Sequence, residues 1–156
     1  MRKLKNPFAT KGKKQKCFGC SQKNPYSLNM QFFEDNNSFW SEWKPRKEFE
    51  SWENIIHGGI QACLIDETAG WLVVKKLGRF TVTKELDIKF KKPLYLNKGI
   101  VKTTAIIQSV VENIANIDVE ILDSEMQLCT KAIGAFYLFS EEDSKIKYDI
   151  PSADDF

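Results

Sequence analysis

A chain of 156 residues that is 42% hydrophobic supports one domain with a real core, and is neither a disordered polymer nor two comfortable domains. Its apolar runs, such as Trp71 to Val74, are far below the roughly 18 residues of a membrane span. The formal net charge is only +2, but it is unevenly placed. Arg2, Lys3, Lys5, Lys11, Lys13, Lys14, Lys16 and Lys23 precede the first acidic residue, Glu34, whereas Glu141, Glu142, Asp143, Asp149, Asp154 and Asp155 gather at the other end. No aromatic interleaving or nucleic-acid motif accompanies the basic residues, so no nucleic-acid partner is expected. No apolar stretch follows them either, so the segment does not read as a secretory signal and a cytoplasmic location is expected.

In chain order, residues 1–16 read as a flexible basic arm, 17–140 as the folded domain and 141–156 as a tail. Cys17-Phe18-Gly19-Cys20 opens the domain. One CxxC and a single histidine fall short of the four ligands of a structural zinc site, so the pair reads as a knuckle-like turn, with no metal expected. Leu28, Met30 and Phe32 alternate with polar residues as a strand does. Asp35-Asn36-Asn37 turns the chain, and Phe39 to Trp43 returns as the second strand of a hairpin. Residues 45–54 are irregular, with Phe49 and Trp52 as anchors. A helix follows from Gly58 to Leu77, closed by Gly78 as a C-cap. Beyond it the period changes to two: strands over 80–90, 99–111, 114–122 and 126–139, joined by short turns. One long helix among about six strands predicts an α+β domain, with a curved antiparallel sheet wrapped around the helix.

The helix carries the chemistry. His57-Gly58-Gly59 stands at its start, where backbone N–H groups are free and two glycines allow close approach. Those donors and the helix dipole favour a carbonyl oxygen that becomes negative during reaction. Gly59, Cys63, Asp66 and Gly70 are spaced by four, three and four residues, and so share one face: small residues around one carboxylate. Glu67 faces away from Asp66. Oxyanion-type donors and a carboxylate are the minimum equipment for acyl-group hydrolysis. Asp66 lies roughly 10–12 Å along the axis from the glycines, at the helical rise per residue. One helix therefore cannot easily serve one carbonyl with both, and an antiparallel second copy would bring its glycines near this Asp66. A homodimer with two shared sites is expected.

Ile56-His57-Gly58-Gly59-Ile60 with Leu64-Ile65-Asp66-Glu67 resembles the signature helix of the hotdog-fold thioesterases, in the branch of the phenylacetate-pathway enzymes and their acyl-CoA hydrolase relatives. Cys17-x-x-Cys20 with Asn24-Pro25 and Leu28, Thr83 through Pro93, and Gly134-x-Phe136 extend the resemblance over residues 17–139. The resemblance implies hydrolysis of acyl-CoA or acyl-carrier-protein thioesters without metal or other cofactor, coenzyme A being part of the substrate. It also implies a homodimer, paired again into a tetramer in many members. Asp66 matches the carboxylate that acts as general base or nucleophile. Gly58, with Gly59 beside it, matches the amides that polarise the thioester carbonyl. Thr83 matches a polar position holding water or substrate, and His57 a shaping residue. Cys63 and Glu67, either side of Asp66 in the sequence, complete the candidate substrate-binding set. Related enzymes place an amide side chain six residues before the histidine; Ser51 stands there, and Asn54 is the substitute within reach. Two other readings use the same fold: a non-catalytic acyl-CoA sensor, and a dehydratase or hydratase in which His57 would matter as much as Asp66.

Overall fold

The computed structural model describes residues 1–10 and 16–156. Its strands are β1 (Arg2–Lys3), β2 (Gln31–Glu34), β3 (Phe39–Trp43), β4 (Thr81–Phe90), β5 (Val101–Val111), β6 (Ile114–Leu122) and β7 (Leu128–Leu138). Its helices are α1 (Pro7–Thr10), α2 (Gly58–Leu77) and α3 (Glu141–Ile146). The strands form one antiparallel sheet in the order β1-β2-β3-β5-β6-β7-β4. α2 lies on it against β3 to β7.

Local chemistry explains the principal element. His57 ends the extended approach (φ −58°, ψ 136°) and caps α2 with its ring, while Gly78 closes the helix in the left-handed region at φ 63°. Leu64, Ile65, Ala69 and Val73 are buried against the sheet. There β6 alternates between buried and half-buried residues along its whole length, with Ala115, Ile117, Val119 and Ile121 turned to the helix. Hairpin β2–β3 turns at Asp35, whose Oδ1 accepts from the amides of Asn37 (3.0 Å) and Ser38 (2.8 Å).

Three expectations change. The sheet has seven strands rather than about six, because Arg2 and Lys3 pair with Glu34 and Phe33. The N-terminal stretch is therefore not a free arm over residues 1–10. Leu4 is buried, and the Phe8 ring packs edge-on against Trp71 and Phe156, 6.3 Å from each. The remainder of the expected arm, 11–15, lies outside the described residues. Trp52 does not anchor its loop: it is 81% exposed, and Phe49 alone packs inward against Trp43.

Candidate active site

α2 and β4 together place the carboxylate. Asp66 sits half-buried in the middle of the helix, and its Oδ1 accepts a hydrogen bond from the Thr83 hydroxyl across on β4. Thr83 lies at a bulge: the β4–β7 register slips between Thr83 and Glu85, which re-aims side chains at that point. The sequence spacing brought Gly59, Cys63, Asp66 and Gly70 to one face, and that face is open. Gly59 is exposed, the other three are half-covered, and nothing lies within 4 Å of where a Gly70 side chain would begin. Beside Asp66 opens a cavity of about 430 Å³, walled by Gly70, Trp71, Val74, Val82, Phe136 and Phe8. Its aromatic lining comes partly from the terminal segments, since Tyr148 and Ile150 complete the wall. Gly134 allows the Phe136 ring to fold back along β7; a Cβ there would lie 2.5 Å from that ring.

At the helix start the two glycine amides differ. Nδ1 of His57 accepts from the Gly59 amide at 2.8 Å, and the His57 carbonyl takes the amides of Ile60 and Gln61. The Gly58 amide is the one left without a partner among the described residues. With Nδ1 taken up by the Gly59 amide, His57 fixes the cap and has only Nε2 to offer a further partner. Gly58 also abuts the far end of β4: a Cβ on it would meet the Phe90 ring at 3.4 Å.

Of the other residues singled out from sequence, Glu67 lines the same cavity, Cys63 shares the helix face of Asp66, and Asn54 falls elsewhere. Asn54, at φ 62°, accepts the Asn97 amide on its side-chain oxygen (3.2 Å) and the Leu96 amide on its carbonyl (3.0 Å), pinning the loop before β5. Burial, then the charges of Asp66 and Glu67, push the Cys63 thiol up, so it stays protonated beside Asp66. Glu67 turns away from Asp66: its oxygens lie 3.2 and 3.3 Å from Cys17 Sγ, and Oε1 accepts from Trp71 Nε1 at 3.1 Å. The Cys20 thiol's hydrogen bond draws Cys17 below an ordinary thiol, against burial and Glu67; Cys20 is held far above, by the same bond and then by burial.

Two supports were missed in sequence. Gln61 is buried, donating to the Ile56 carbonyl (3.3 Å) and accepting from Thr130 on β7. Seven residues on, buried Thr68 donates to the Leu64 carbonyl (2.6 Å) and takes the Ser41 hydroxyl of β3 (2.8 Å). The readable signal was two polar residues two turns apart on an otherwise apolar stripe.

The architecture is the hotdog fold, and solved structures share it. A hypothetical thioesterase from Streptococcus pneumoniae, solved with coenzyme A, is 21% identical and superposes with a TM-score of 0.65 over 72% of this chain and 90% of that one. Forms of the Streptococcus protein with an aspartate, or a threonine, replaced by alanine match as well. The BH2602 protein from Bacillus halodurans, also solved with coenzyme A, is 22% identical, with a TM-score of 0.63 over 72% of each chain. In sequence, the chain is 30% identical over 93 residues to "Putative esterase SSO1253" of Saccharolobus solfataricus, matching 58% of this chain and 60% of that protein's length. No family profile matches the chain. Among the described residues, no helix is long and apolar enough to cross a membrane.

Proposed function

We propose that this protein hydrolyses a thioester of coenzyme A, or of an acyl carrier protein, as a homodimer whose two sites each draw on both copies. The observation that carries this reading is the Asp66–Thr83 hydrogen bond at the wall of an aromatic-lined cavity, on an otherwise small-residue helix face. Thr83 holds Oδ1 and leaves Oδ2 for a water. As the water oxygen bonds to the acyl carbon, Asp66 takes its proton, and the Gly58 amide and the helix's positive end meet the charge growing on the carbonyl oxygen. Collapse breaks the carbon–sulfur bond, the proton passes to the leaving sulfur, and a carboxylic acid and a free thiol result. The coenzyme A in two structures of the same fold supports the substrate class, and the esterase name of the sequence relative supports hydrolysis.

β4 supplies the argument for two copies. One end touches α2 at Gly58 through Phe90, and the other reaches Asp66 through Thr83. Its outer edge has no strand partner among the described residues. Antiparallel pairing of two β4 edges about a twofold axis exchanges those ends, carrying the Gly58 of one copy toward the Asp66 of the other. His57, capping through Nδ1, argues against the hydratase reading.

The test is thiol release from short, long and aromatic acyl-CoAs by wild type and Asp66→Ala. Turnover in the wild type, lost by about 10²–10⁴-fold in the variant, is the expected result for removal of a general base. Undiminished turnover in the variant rejects the assignment. No turnover by the wild type, with acyl-CoA still raising the melting temperature, makes the protein a sensor.

A further inference from the structure

Around Glu67, the chain neighbour of Asp66, three metal-ligating groups converge. Cys17 Sγ, Cys20 Sγ and a Glu67 carboxylate oxygen all lie within 4.8 Å of one another. The arrangement is built from both sides. The Gly19 amide donates to Cys17 Sγ at 3.2 Å, the Ser21 amide to the Cys17 carbonyl at 3.1 Å, and the amides of Leu28 and Met30 hold the carbonyls of Phe18 and Gly19. That is a closed turn presenting two sulfurs to one point. Glu67 comes from α2, oriented by the Trp71 indole at 3.1 Å. Gly19 is what admits it: any side chain there would begin 2.4 Å from the Glu67 carboxyl carbon. A carboxylate packed on two sulfurs is a stable arrangement only with protons or a cation between them.

We infer that Cys17, Cys20 and Glu67 form a zinc site, with a water in the fourth position, that ties the N-terminal turn to α2. Two sulfurs and one carboxylate oxygen are a donor set for a borderline cation, and three protein ligands plus water complete a tetrahedron. Loading exchanges the two thiol protons for one Zn²⁺, leaving two thiolates and a carboxylate around it. The Trp71 indole is the outer donor that fixes the carboxylate, as such donors do at zinc centres. The sequence offered only two of these ligands near each other; the third is fifty residues away.

The experiment loads the reduced full-length protein with Zn²⁺ alone, removes the excess by gel filtration, and measures metal per chain. Co²⁺ replaces Zn²⁺ in a parallel sample read by absorption. One zinc per chain is expected, with a thiolate-to-cobalt charge-transfer band and the visible bands of tetrahedral cobalt. Cys17→Ser and Cys20→Ser are expected to lose both, and Glu67→Gln to bind at least tenfold more weakly, whereas Cys63→Ser and Cys129→Ser retain full loading. If the cysteine variants do not fold, the cobalt spectrum of the wild type, and a melting temperature raised by zinc and restored by chelator, decide the matter. Absence of a cobalt–thiolate band in the reduced wild type overturns the site. So does zinc retained equally without Cys17 and Cys20, or a Cys17–Cys20 disulfide in protein that takes up no metal after reduction.

Discussion

Residue by residue, the helix start is where backbone rather than side chain is proposed to do chemistry, and backbone can be tested. Gly58 is the first helical residue after the cap, a position where proline is tolerated because its amide needs no helical partner. His57, at φ −58° and ψ 136°, already has the extended geometry that a following proline requires. Gly58→Pro therefore deletes the N–H and adds a ring whose Cβ meets Phe90, which is 55% exposed, while Gly58→Ala keeps the N–H and places the same Cβ against Phe90, so the pair isolates the amide. In the proposed reaction Gly58→Pro lowers kcat by about 10²–10³-fold, the cost of losing one oxyanion donor, and Gly58→Ala does so far less. Steady-state kinetics on the best acyl-CoA separate the two. Equal losses would mean that bulk, not the amide, matters there. The sequence showed the glycines and the carboxylate but not which amide is spare, because that is settled by the rotamer of His57.

At the scale of elements, α2 is held in the sheet by buried polar pairs as well as by apolar packing. Thr68 and Ser41 are both fully buried, so removing the Thr68 hydroxyl strands that of Ser41, whereas Thr68 without Ser41 keeps the Leu64 carbonyl. Thr68→Val is expected to destabilise by about 1–3 kcal/mol in urea unfolding. The double variant Ser41→Ala/Thr68→Val should cost less than the two single changes added together, the signature of direct coupling. The other fastening is electrostatic. Glu34, on β2, meets Arg2 of β1 and Lys76 (3.1 Å) and Lys75 (3.6 Å) of α2. Partial burial pushes its carboxyl up, but the hydrogen bonds from Lys76 and Arg2 and the lysine charges outweigh that and hold it below the usual range. A depressed folded value means stability that is fully present above the unfolded titration, about pH 4.3, and lost as pH falls through the folded one. Glu34→Gln should flatten that acid limb in melting temperature against pH, leaving the neutral plateau lower. α2 and the β2–β3 hairpin were legible in the sequence because caps, turn residues and period are local signals. β1, the seating of Phe8 and the turn of Glu67 toward Cys17 were not: each depends on partners tens of residues away. A lysine-rich stretch gives no local sign that Leu4 and Phe8 within it are packing residues.

For the whole molecule, the question is whether one chain suffices. Gly58 and Asp66 are eight residues apart on a straight helix, about 12 Å along its axis, so a single carbonyl cannot touch both within one copy. The proposed pairing through β4 would remove the difficulty, and would also cover the edge of a ten-residue strand that no strand pairs among the described residues. The two defective variants then complement each other. In a dimer of one Asp66→Ala chain and one Gly58→Pro chain, one site receives both lesions and the other receives neither. Random mixing makes about half of all dimers mixed, each with one intact site of two, so the mixture recovers about a quarter of wild-type turnover under twofold symmetry. The measurement is thiol release after the two variants are unfolded and refolded together, against each refolded alone. Recovery would locate each site across the interface; activity no greater than the average of the separate variants would mean that Gly58 and Asp66 of one chain serve the same site, and would overturn the shared interface.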